Sequence, residues 1–145
     1  MSGIYKKYKK LNKVEKSLIR KTFFWLLASY FLVRIIPFNW FNHILGVFKK
    51  DSSYELNTAQ KEKVSQLSIS IKRLKKVLPW KTKCFEETIA AKKILEHYHI
   101  SSTLFLGVKK DSQNKLMAHS WLKVGNNIYF GQKGHKKFSI VGFYT

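Results

Sequence analysis

The chain holds a single cysteine, Cys84, in the stretch KTKCFEETIAAKKILEHYHI at residues 81–100, and five histidines. A thiol attacks as its thiolate, and the unpaired N–H groups and positive dipole end of a helix N-terminus favour that form. Cys84 sits where an amphipathic helix is predicted to begin, just after Leu78-Pro79-Trp80. An imidazole would complete a dyad by taking the thiol proton and later returning it to a leaving group. His119 is the best candidate. It lies mid-strand in AHSW, 35 residues further on, where a sheet packed against the cysteine's helix would bring the two together. The bland alternative is a buried filler thiol and an ordinary hydrogen-bonded strand histidine.

The other histidines fit the role less well. His97 and His99 fall at the end of the predicted helix, where a cation is favourable. His135 sits between lysines in the loop KGHKK, a poorly held place for a base. No two histidines lie at convincing metal spacing with a carboxylate, so neither a metal nor any other cofactor is expected. Trp80 would wall the site or pack in the core. Trp121 shares a strand face with His119 and would shield the dyad or simply pack.

These residues need elements to hold them. Residues 11–36 read as one long helix. Its segment FFWLLASYFLV (23–33) is eleven residues without a charge, interrupted by Arg34 and ended by Pro37. A membrane span needs about 20 apolar residues, so a buried or interfacial helix is predicted. Its aromatic face leaves docking on a partner or a membrane surface open. Residues 37–50 read as a shorter helix closed near Gly46, and DSSYELNT (51–58) as a polar connector. Val64, Leu67, Ile71, Leu74 and Leu78 form one apolar helical stripe, stopped by Pro79. The next helix is predicted over about 83–98, with Thr82 as its N-cap, Glu86 and Glu87 in its first turn, and Phe85, Ile89, Ile94 and Leu95 buried.

After His99 the texture changes to strand composition over 102–110, 115–124, 127–132 and 137–145, joined by polar links. In the second strand Leu116, Ala118, Ser120 and Leu122 share one face, and Met117, His119, Trp121 and Lys123 the other. Helices first and an antiparallel sheet second predict an α+β domain.

Composition narrows the function. The net charge is +20, from 28 Lys and Arg against 8 Asp and Glu, and 45% of the residues are hydrophobic. That is enough apolar material for a core, so a disordered chain is excluded. A surface this basic suits an acidic partner: nucleic acid, an anionic membrane face or an acidic peptide. The lysines are spread along the chain, and no zinc finger, RNA-recognition signature or phosphate-binding glycine loop is present, so nucleic acid is not the expected partner. One cysteine excludes an internal disulfide and fits a reducing cytoplasm. The basic N-terminus lacks a small-residue cleavage site after its apolar stretch, which argues against a secretory signal.

The order of a cysteine at a helix start and a histidine on a strand resembles the transglutaminase/papain-like cysteine peptidases. The stretch from Pro79 through Cys84, Gly107-Val108, Ala118-His119-x-Trp121 and Gly125 to KFSIVGFYT resembles one family in particular: the lasso-peptide leader peptidases, the transglutaminase-like B proteins. The likeness covers about residues 74–145. It implies a cysteine protease that removes the leader from a ribosomally made precursor peptide, beside a separate lasso cyclase that uses ATP. The N-terminal half reads as helices without a strand-rich recognition module. The resemblance therefore implies the split form, which works with a separate leader-recognition protein. The chain as a whole is expected to divide into a helical extension over 1–58 packed on a transglutaminase-like core over 59–145. Location would be cytoplasmic, with peripheral contact to the inner membrane face open.

By position, the resemblance makes Cys84 the nucleophile and His119 the base, with the backbone N–H of Cys84 in the oxyanion hole and Trp80 and Trp121 as substrate-binding candidates. The family's third member is an acidic residue after the histidine, and this chain has no Asp or Glu beyond Asp111. The offset falls near Gly131. The polar choices there are Asn126, Asn127 and Gln132, with Asn127 and Gln132 level; a backbone carbonyl or a partner's residue are the other options. Two rivals stand beside this reading. One is a noncatalytic peptide-binding or scaffold subunit on the same fold, and the other is a basic membrane-associated protein held by residues 23–48.

Overall fold

The computed structural model describes residues 2–51 and 54–145. The helices come first: α1 (Ser2–Lys9), α2 (Lys13–Ile35), α3 (Phe38–Phe41) running into a 3-10 turn (Asn42–Leu45), α4 (Thr58–Lys75) and α5 (Cys84–His97). Four strands follow: β1 (Ser102–Lys110), β2 (Leu116–Val124), β3 (Asn127–Phe130) and β4 (Ser139–Tyr144). They form one antiparallel sheet in the order β3-β2-β1-β4. The α+β class predicted from the switch in sequence texture is the architecture observed.

Helix α2 begins on a capping box. Asn12 accepts from the Glu15 N–H, and the Glu15 carboxylate accepts from the Asn12 N–H. This answers two of the donors that every helix start leaves unpaired. The helix ends at Ile35, ahead of Pro37, as the proline requires. Its buried side is Leu18, Thr22, Leu26 and Ser29, which packs on α4 and α5. Asn57 and Gln60 cap α4 in the same way. Val64, Leu67, Ile71 and Leu74 of the predicted stripe are buried. The stripe's last member, Leu78, lies beyond the helix, which ends at Lys75, four residues before Pro79. The predicted helix over 37–50 is shorter than expected and is a helical turn plus a 3-10 turn, closed at Gly46. Of the predicted connector 51–58, Ser52 and Ser53 lie outside the described residues.

One face of the sheet packs on α5, through Leu104, Leu122 and Val124, all fully buried. Lys92 of α5 is buried among these and donates to the Ser102 carbonyl at 2.9 Å. The opposite face bears a second aromatic layer. Phe105 stacks on Trp121 at 5.7 Å between ring centres and on Phe143 at 5.4 Å. The loop from 131 to 138 folds over part of this layer and sets His135 against Trp121 and Phe138 against His119.

Candidate active site

Cys84 is the first residue of α5 and is half-buried. The cap is Lys83 rather than the expected Thr82, and its N–H donates to the Glu86 carboxylate at 3.1 Å. Thr82 instead donates its hydroxyl to Glu87 at 2.7 Å. Both first-turn acids are answered by cations from other helices. Glu86, fully buried, pairs with Arg34 of α2, and Glu87 pairs with Lys75 of α4 at 2.8 Å. Three helices therefore meet at the start of α5, and the two carboxylates beside the thiol are neutralised there. Among the described residues no acceptor meets the N–H of Cys84. That donor is the one the expected oxyanion hole would use.

His119 is part-buried on β2, and its Nε2 lies 2.8 Å from the carbonyl oxygen of Gly131. A carbonyl only accepts, so Nε2 must be the protonated nitrogen, and Nδ1 keeps the lone pair of the neutral ring. The group that meets the ring is thus a backbone carbonyl, at the position to which the offset of the expected acid points. Gly131 lies at a φ of +68°, and a Cβ there would sit 2.2 Å from the Ser120 carbonyl, so the position admits glycine alone. On the same face, Gly107 pairs directly with His119, and a Cβ on it would press within 2.8 Å of the Trp121 ring and the Phe138 Cβ. The histidine ring is packed against Phe138, 5.0 Å between centres.

Neither amide expected to orient His119 does so. Asn127 pairs with Val124 at the β2–β3 turn, five residues along β2 from the histidine, and is exposed. Rather than meeting His119, Gln132 gives its backbone carbonyl to His135 Nδ1 at 2.6 Å, and it too is exposed. Asn126, in the same turn as Asn127, is likewise far along the strand.

The residue of β2 that meets α5 is Ser120, whose hydroxyl lies 2.9 Å from that of Thr88, one turn after Cys84. The register of β2 with β1 is continuous from Leu116 to Val124, so side chains alternate. His119 therefore leaves the strand on the face that α5 does not cover. Among the described residues no hydrogen bond joins Cys84 to His119. The expectation that the sheet would present His119 to the helix is corrected on this point: the packing hydroxyl pair of Thr88 and Ser120 takes that contact.

Both tryptophans are used in packing. Trp80 lies against Phe23 and Tyr30 of α2, with its indole nitrogen buried and unpaired. Trp121 is 3% exposed within the aromatic layer. Sequence reasoning missed the Arg34–Glu86 pair. The signal was a lone arginine closing the uncharged stretch 22–33 of α2, which needs a carboxylate when it faces the core.

The comparisons with known proteins agree with the fold. A family model described as the transglutaminase-like superfamily matches residues 32–142. No curated protein and no solved structure matches the chain. The match covers most of the sequence, from within α2 to β4, and includes Cys84, His119 and Gly131. With a helix opening on cysteine and an antiparallel sheet bearing an oriented histidine, the chain belongs to the transglutaminase-like superfamily.

Proposed function

We propose that this protein is a cysteine peptidase that removes the leader from a ribosomally made lasso-peptide precursor, acting with a separate leader-recognition protein and beside a cyclase. The observation behind the reading is the histidine held by a glycine carbonyl in a chain whose single cysteine opens a helix. The family supports the chemistry, since it includes cysteine peptidases. In this reading Cys84 gives its proton to His119 Nδ1 and its Sγ attacks the scissile carbonyl. The tetrahedral oxyanion is met by the Cys84 N–H, His119 protonates the departing amine, and water then releases the acyl group. That transfer asks His119 to turn toward the thiol, since its position on β2 faces away from α5.

The placement of His119 on the face of β2 that α5 does not cover favours a second reading, a noncatalytic peptide-binding subunit of the same complex. One assay divides them. The full chain is mixed with the recognition protein and the precursor encoded beside it, and products are read by mass spectrometry. A single cut between leader and core, lost in both Cys84→Ala and His119→Ala, is expected. Cutting that survives Cys84→Ala, or precursor binding without any cut, would put the binding subunit in its place.

A further inference from the structure

Among the described residues, the outward side of α2 leaves large apolar side chains exposed. Phe24, Phe31 and Ile35 are 60, 50 and 70% exposed, and their spacing of seven and four puts them on one line. Just past the helix, Ile36 and Trp40 are exposed as well, the latter 71%, while Phe38 rests on Phe41, Phe85 and Tyr144. Toward the N-terminus the same line passes through Arg20 and Lys13, both exposed, and on to the lysines of α1. Residues 1–50 hold eleven Lys or Arg and one acid, Glu15, which is occupied in the α2 cap. Half of the surface line is therefore aromatic and aliphatic, and the other half is cationic without a counter-charge.

We infer that α2 and the aromatic turn after it dock in the plane of an anionic lipid surface. The apolar half enters the boundary between headgroups and acyl chains, and the Lys and Arg half lies against phosphate. From Phe24 to Ile35 the helix advances about 16 Å, suited to lying along an interface. Among the described residues no helix is long and apolar enough to cross a membrane. A protein partner could cover the apolar half, but the uniform charge around it favours a surface of uniform opposite charge. Trp40 stands at the apolar end, where an indole can place its ring in the boundary and its N–H in water.

The test is flotation of the full chain with vesicles of phosphatidylcholine alone and of phosphatidylcholine with phosphatidylglycerol. Binding to the anionic vesicles only, weakening with salt, is expected. The triple variant Phe24→Ser, Phe31→Ser and Trp40→Ser should bind about tenfold or more weakly. These side chains are already exposed, so the fold should persist, as circular dichroism would check. Ile140→Ser with Val141→Ser, exposed on the far strand β4, should leave binding unchanged. Equal flotation with neutral vesicles, or equal loss from the β4 pair, would overturn the inference. So would a dimer, seen by sedimentation velocity, that the triple variant dissolves while vesicle binding stays intact; this face would then be a protein interface.

Discussion

A glycine carbonyl orienting a histidine differs from a carboxylate in one respect: it selects the tautomer without adding charge. His119 therefore receives direction from Gly131, with no carboxylate in that place. The offset of the missing acid pointed to Gly131 itself, but side-chain chemistry drew attention to Asn127 and Gln132. A backbone acceptor has no signature in residue type; only the positive φ of Gly131 betrays it, and that is visible in a structure alone. Lys92 was also silent in the sequence. Burial lowers its pKa from the ordinary lysine value, with nearby Glu96 opposing the shift. The unfolded chain then holds this proton more tightly than the folded one. Stability consequently rises with pH from the lowered folded value up to the ordinary lysine range, and that gain is absent at lower pH. The difference in unfolding free energy between wild type and Lys92→Met, followed by urea titration at several alkaline pH values, should grow in favour of wild type over that window. Tyr54 and Tyr144, whose pKa values burial raises, are common to both proteins and cancel. A difference that stays flat with pH would mean that Lys92 keeps its proton in the fold as readily as in water.

Among the elements, α5 has its start held from three sides. The capping of α2 and α4 follows from Asn12-x-x-Glu15 and Asn57-x-x-Gln60, a pattern that can be read directly. Lys83 gives α5 no capping side chain of its own, so its N-terminus depends on Glu86 and, through Glu86, on Arg34. Helix stripes were legible because their period survives in sequence, and the strand faces were legible because β2 keeps one register with β1 from Leu116 to Val124. What was not legible is which face of β2 the helix would choose. Both carry apolar residues, and the decision rests on the Thr88–Ser120 hydroxyl pair and on the aromatic layer that claims the other side. Arg34→Ala would leave the buried Glu86 carboxylate unpaired. The arginine is partly exposed, so a loss of about 2 kcal/mol in urea unfolding is expected rather than the full cost of a buried pair. A change within about 0.5 kcal/mol would show that water reaches Glu86 once the arginine is gone.

At the scale of the whole molecule, the helical layer holds the thiol and the sheet holds the imidazole, on opposite sides of β2. The account's central claim is that these two nevertheless act as one unit on a peptide. The N-terminal helices add a basic, partly apolar outer surface that the catalytic chemistry does not use, which is why the lipid inference stands separately from the peptidase reading. The most direct measurement is the intact mass of the protein after reaction with a peptidyl chloromethyl ketone bearing the last residues of the leader. The account predicts one adduct, on Cys84, formed about 100-fold more slowly in His119→Ala, while labelling of Cys84 by small iodoacetamide persists. Equal adduct formation in wild type and His119→Ala, or an adduct elsewhere than Cys84, would contradict it.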